Sequence, residues 1–229
     1  MGQEECGSVV VLAYDGIAAD EAGIVIEILG LAGLPVLIAS IEAAAVTSYH
    51  GRVLPTRSTH SLAGSRALVV PGGMGVQRAS HHRPLLGAIA TLADSSTWVC
   101  ATSTGTVLLA AAGVLGNARV TTHWLASGLL RESEVRVLHD SYVEHGRFLT
   151  ASGAASSARL GFRLVGALAG TEAEERVRDV YRPAPRRDRR LDRPDPWWRQ
   201  VGRKRAEAVV GHSLDPHRVA EVVVLDLDD

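Results

Sequence analysis

Cysteine is scarce in this chain. Two thiols, Cys6 and Cys100, in 229 residues exclude the disulfide framework that holds small secreted domains together. The length is enough to bury a sizeable core without one. Lysine occurs once, as Lys204, and 24 basic residues face 25 acidic ones for a net charge of -1. That balance gives no general nucleic-acid surface. No apolar run reaches the roughly 18–20 residues that crossing a bilayer requires. The N-terminal MGQEECGSVVVLAYDG has no basic stretch ahead of its short apolar run, unlike a secretory signal. The nine histidines and two cysteines show no metal-ligand spacing, and neither a Walker loop nor a dinucleotide fingerprint is present. The expectation is a cytoplasmic globular protein with no metal, no cofactor, no nucleic-acid partner and no membrane partner.

What the chain does have is apolar runs separated by turns. VVVLAY (9–14), PVLIASI (35–41), RALVV (66–70) and TWVCA (97–101) read as strands buried on both faces. Between them, residues 24–34 carry Ile24, Ile28, Leu31 and Leu34 at helical spacing, and residues 84–96 form a helix with Pro84 in its first turn. A hairpin-like pair is expected around His50-Gly51, a short strand over ARVTTHW (118–124), a strand and hairpin over 134–153 turning at His145-Gly146, and a closing helix over 156–169. Alternating strands and helices predict an α/β fold with a mostly parallel sheet. Its site is expected outside the carboxyl ends of the strands, where loops 15–23, 71–76 and 101–105 can meet. Composition changes after residue 180. Residues 181–229, rich in Pro and Arg, read as an arm packed on the 1–180 domain or on a dimer partner, with a short helix near 200–210 and Trp197-Trp198 as its apolar anchor.

WVCATSTGTVLLAAAG (98–113) is a strand, a small-residue turn and a helix. Such a turn exposes one side chain and aims backbone N–H groups toward it, so Cys100, Ser103 or neither is the nucleophile. VVPGGMG, STGTVLLAAAGVL and ARVTTHW, in that order and spacing, resemble the DJ-1/PfpI superfamily, a class I glutamine amidotransferase-like group. The similarity is greatest to its isocyanide hydratase branch and to the related amidase-like domains of some transcription regulators. DEAGIVIEIL, GRFLTASGAASSARLGFRLVGALAG and RPAP extend it over most of the chain.

The resemblance implies a flavodoxin-like three-layer sandwich, a homodimer, and a cofactor-independent enzyme acting on a small electrophilic substrate. The reaction implied is a lyase step, hydration of an isocyanide to an N-substituted formamide. A hydrolase or biosynthetic tailoring enzyme on the same scaffold, and a non-catalytic small-molecule-sensing domain, are the alternatives. The family nucleophile is a cysteine directly before Thr-Gly, which puts Ser103 at that position and leaves Cys100 inside the strand. Ser103 has three readings: a natural serine nucleophile, a vestige in a binding protein, or an introduced replacement of cysteine. The resemblance further implies that Asp20 manages the proton or activates water, with Glu21 as the adjacent substitute. Asp20 also reads as a helix N-cap. Gly72 and Gly73 read as an oxyanion site joined by Thr104, and His123 as a packing residue that some relatives place near the nucleophile.

Overall fold

The computed structural model describes residues 7–41, 45–59 and 64–181. In chain order the elements are β1 (Val9–Leu12), α1 (Ala19–Leu31), β2 (Val36–Ser40), the short pair β3 (Val46–Thr47) and β4 (Val53–Leu54), β5 (Arg57–Ser58), β6 (Ala67–Val70), α2 (Val76–Ala79), α3 (Arg83–Ser95), β7 (Trp98–Thr102), α4 (Gly105–Ala111), β8 (Arg119–Val120), a 3-10 helix (Trp124–Leu130), β9 (Arg136–Val137), the hairpin β10 (Tyr142–His145) and β11 (Phe148–Ala151), α5 (Ala154–Ala169) and α6 (Thr171–Tyr181). Seven strands form one sheet in the order β10-β11-β7-β6-β1-β2-β5. All its pairings are parallel except the β10–β11 hairpin. Continuous runs of Val, Leu and Ala give β1 and β6 no outward polar face, and every residue of both is buried, as parallel strands covered on two sides require.

The topology fixes where a ligand can enter. The β1–α1–β2 crossover moves one way along the sheet, and β6–α3–β7 moves the other. Right-handed crossovers therefore put α1 and α3 on opposite faces. Helix α5 joins α1 on its face, where Gly161 admits Ile28: a Cβ at 161 would lie 3.1 Å from Ile28 Cγ2. The result is the expected three-layer α/β sandwich. The reversal lies between β1 and β6, and the crevice at such a switch point is where open α/β sheets bind ligands.

Several local expectations change. Helix α1 begins at Ala19, ahead of the expected Ile24, and its buried residues are Glu21, Ala22, Val25, Ile28 and Leu29. The inward stripe is thus turned away from Ile24 and Leu31. Ala18 takes the N-cap position and makes no side-chain cap bond, so Asp20 sits within the first turn and is no cap. The expected strand over 118–124 shrinks to Arg119–Val120, because His123 opens a 3-10 helix. The β3–β4 pair turns at Gly51 (φ 82°), and the β10–β11 hairpin turns at Gly146 (φ 59°). Residues up to Asp179 form one unit. The arm from 182 onward, including the helix near 200–210 and Trp197-Trp198, lies outside the described residues, as does Cys6.

Candidate active site

Strand β7 runs out of the sheet into a sharp elbow at Ser103. Among the described residues Ser103 is the only non-glycine with positive φ, at 51°, a left-handed conformation that costs an L-residue about 1–2 kcal/mol. Both sides of its backbone are tied down. Ser103 N–H donates to Ala151 O at 2.7 Å, and Ser103 O accepts from Thr122 Oγ1 at 2.9 Å. Small residues make the bend possible. A Cβ at Gly105 would lie 2.0 Å from Val70 O, and one at Gly72 would lie 2.7 Å from Ser103 Cβ and 2.8 Å from Thr104 N.

The three expected loops do converge. Ala18 N–H donates to Gly72 O at 2.8 Å, Ile17 and Gly73 form an antiparallel bridge, and Gly75 N–H donates to Gly16 O at 3.1 Å. Tyr14, just past β1, donates its buried hydroxyl to Pro71 O at 3.0 Å. These bonds hold the start of α1 against the end of β6, beside the elbow.

The carboxylate delivered to Ser103 is Glu21. It is 8% exposed, and Ser103 is 6% exposed. Thr102 Oγ1 donates to Glu21 Oε2 at 2.9 Å, and the Ser103 side chain and the Gly72 main chain lie close enough to bear on its ionisation. Burial raises the pKa of Glu21 above the usual carboxylate value. The Thr102 hydrogen bond and the nearby Ser103 side chain oppose that rise, the neighbouring Asp20 charge adds to it, and the Gly72 main chain again opposes it. No cation figures among the groups acting on it. A carboxyl that keeps its proton to higher pH in a nearly dry site is suited to general acid work. Asp20, one residue earlier, is exposed.

The other expected residues take varied positions. Gly73 N–H donates to Thr104 Oγ1 at 2.9 Å, and Thr104 Oγ1 donates back to Gly73 O at 3.1 Å. The Gly73 N–H and the Thr104 hydroxyl are therefore engaged with each other rather than aimed at an incoming anion. The Thr104 N–H, at the head of α4, is the remaining donor of that set. His123 is half-buried, and its Nδ1 accepts from Leu125 N–H at 3.3 Å, so the ring caps the 3-10 helix. Its segment reaches the elbow through Thr122 instead. Thr102 and Thr122 were not legible as site residues, because threonine in a strand carries no functional signal on its own.

Cys100 is fully buried on β7, and burial pushes its thiol pKa far up, which keeps it a poor nucleophile. In native protein, Cys100 is expected to resist iodoacetamide, whereas Ser103→Cys adds a site that alkylates readily. Peptide mapping by mass spectrometry separates these thiols from Cys6. Labelling of native Cys100 at the rate of the introduced thiol would contradict this assignment.

An elbow side chain at the carboxyl ends of β6 and β7, faced by an α1 carboxylate and framed by Gly72 and Gly105, defines a class. The chain belongs to the DJ-1/PfpI family, whose model matches residues 7–167, well over half of the sequence. It is 31% identical to the isonitrile hydratase of Pseudomonas putida over 143 residues, which is 61% of this chain and 63% of that protein. The chain thus spans less than two thirds of that relative's length. Its fold is similar to that of Drosophila melanogaster DJ-1beta, with a TM-score of 0.69 and 21% identity over 76% of this chain and 96% of the other. A ThiJ/PfpI family protein from Pseudomonas syringae gives a TM-score of 0.72 and 20% identity over 88% and 86% of the two chains.

Proposed function

We propose that the protein is a cofactor-independent hydratase that adds water across a small isocyanide to give an N-substituted formamide. The observation that carries this reading is the buried Glu21 carboxyl, held by Thr102 Oγ1 and set beside Ser103 at a strained elbow. The similarity to an isonitrile hydratase supports it.

Serine is a weaker nucleophile than the family's cysteine and needs either a base or a strongly electrophilic partner. An isocyanide supplies the second once protonated, because its terminal carbon carries a basic lone pair. Neutral Glu21 gives its proton to that carbon, leaving a nitrilium ion and a carboxylate. Ser103 Oγ then bonds to the same carbon while its proton passes to Glu21, forming an imidate ester. Water adds to the C=N bond, the nitrogen gains a proton, and collapse of the tetrahedral adduct releases the formamide and restores the Ser103 hydroxyl. The net change is one water consumed per isocyanide. A serine in place of the family cysteine also suits a sensing domain that binds without turnover.

The assay is loss of isocyanide and appearance of formamide, followed by infrared or mass spectrometry with a small alkyl isocyanide. Turnover by the wild type is expected, with Ser103→Ala lowering kcat by about two to four orders of magnitude and Ser103→Cys remaining active. Stabilisation by the isocyanide without turnover in either the wild type or Ser103→Cys supports the sensing domain instead and overturns the hydratase.

A further inference from the structure

We infer that Thr102 is a positioning residue for the proposed hydration: its hydroxyl holds Glu21 Oε2 as an acceptor and so places the transferable proton on Glu21 Oε1. The inference rests on the proposed function for the use of that proton, and on the site geometry for its position. Thr102 is the last residue of β7 and is 0% exposed, so water does not compete for its hydroxyl. Its Oγ1–H donates to Oε2 at 2.9 Å. A carboxyl oxygen that accepts from a fixed donor is a poor place for the acid proton, which leaves Oε1.

Several groups face Glu21 from the surrounding elements. Asp20 lies on the same helix, Tyr14 after β1, Tyr49 between β3 and β4, Gly72 after β6 and Ser103 at the elbow. Tyr14 has committed its hydroxyl hydrogen to Pro71 O. Gly72 bears on the carboxyl through its main chain and Asp20 through its charge, and Tyr49 in turn feels the charges of both acids. The Thr102 hydroxyl is anchored on a strand, whereas Ser103 stands at the turn. In the neutral acid, Thr102 remains the donor to Oε2 and Oε1 carries the proton. In the proposed reaction Oε1 gives that proton to the isocyanide carbon, and Glu21 then takes the Ser103 proton.

The experiment follows the Glu21 side-chain carboxyl directly, by 13C NMR titration of the full-length protein labelled in glutamate, with Glu21→Gln assigning the resonance. Three variants are compared with the wild type: Thr102→Val, which is isosteric, Thr102→Ala, which adds no second methyl, and Thr102→Ser, which keeps the hydroxyl. Thermal melts identify which variants fold, and either hydroxyl-free variant suffices. The Glu21 midpoint is expected to rise in Thr102→Val and Thr102→Ala, since the carboxylate loses a donor, and to return to the wild-type value in Thr102→Ser. In the isocyanide assay, kcat is expected to fall about tenfold, the rate equivalent of one hydrogen bond to a charged group. KM stays unchanged, and the basic limb of the pH profile moves to higher pH. An unmoved Glu21 midpoint, or a Thr102→Ser variant that titrates like Thr102→Val, overturns the inference. If the wild type turns over no isocyanide, the hydratase reading fails, and the NMR midpoints still decide whether Thr102 sets the proton.

Discussion

Glu21→Gln is expected to abolish most turnover while making the protein more stable at neutral pH. The amide still accepts from Thr102 Oγ1 but has no acid proton, so the isocyanide carbon goes unprotonated. Losing a positioned general acid costs about two to four orders of magnitude in kcat. Stability moves the other way because of linkage. Burial raises the native pKa of Glu21 above its ordinary value of 4.5. Below that ordinary value, native and unfolded chains both carry the proton and the site costs nothing. As pH rises from there, the unfolded chain loses its proton first, and stability falls until the native pKa has been passed. Glu21→Gln removes the titration. Its melting temperature should therefore exceed that of the wild type at pH 7 and match it more closely near pH 4. Asp20→Asn, on the exposed side of the first turn, is expected to leave kcat within about threefold of the wild type. If Asp20→Asn is the inactive variant and Glu21→Gln is not, the carboxyl assignment is reversed.

That contrast shows where the sequence could be read and where it could not. The buried strands announce themselves as uninterrupted aliphatic runs, and β1, β6 and β7 fall where those runs are. The elbow is found by its place between an apolar strand and an apolar helix, and the family resemblance picks Ser103 within it. The choice between Asp20 and Glu21 turns on helix phase. A stripe of Ile24, Ile28, Leu31 and Leu34, carried one turn back, reaches Asp20 (i−4 from Ile24) and Glu21 (i−3) alike, so spacing does not choose between them. The observed stripe is Glu21, Val25, Ile28 and Leu29, at i, i+4, i+7 and i+8, a regular apolar face with one carboxylate at its head. The aliphatic residues from Ile24 to Leu29, interrupted only by Glu27, are compatible with more than one phase, and tertiary packing against α5 selects between them. The Thr104–Gly73 exchange and the Thr102 bond to Glu21 lie beyond sequence patterning altogether. They join residues 31 and 81 positions apart, and only the sheet order brings those together.

Gly105→Ala is expected to be among the most destructive single methyls in the described part of the chain, and Gly87→Ala one of the most benign. At 105 the new Cβ would sit 2.0 Å from Val70 O and 2.9 Å from the carbonyl carbon of Pro71. Both are backbone atoms, and Val70 is fully buried in a central strand, so neither can yield as a flexible side chain would. Relief requires the head of α4 to back away from the end of β6. That movement breaks the paired hydrogen bonds between Thr104 and Gly73 and draws Ser103 out of reach of Glu21. The cost should be at least about 3 kcal/mol, at the upper end of overpacking effects. For a domain of this size that corresponds to a fall in Tm of roughly 6–12 °C, with turnover lost as well. Gly87 lies on the exposed side of α3, and nothing would stand within 4 Å of its Cβ. Alanine there keeps the contacts and removes glycine's conformational penalty in a helix interior, a gain of up to about 1 kcal/mol. Paired thermal melts and isocyanide assays on the two variants measure how tightly the elbow depends on backbone contact at 105. Equal stability and activity in both would mean that the packing between α4 and β6 does not hold the site.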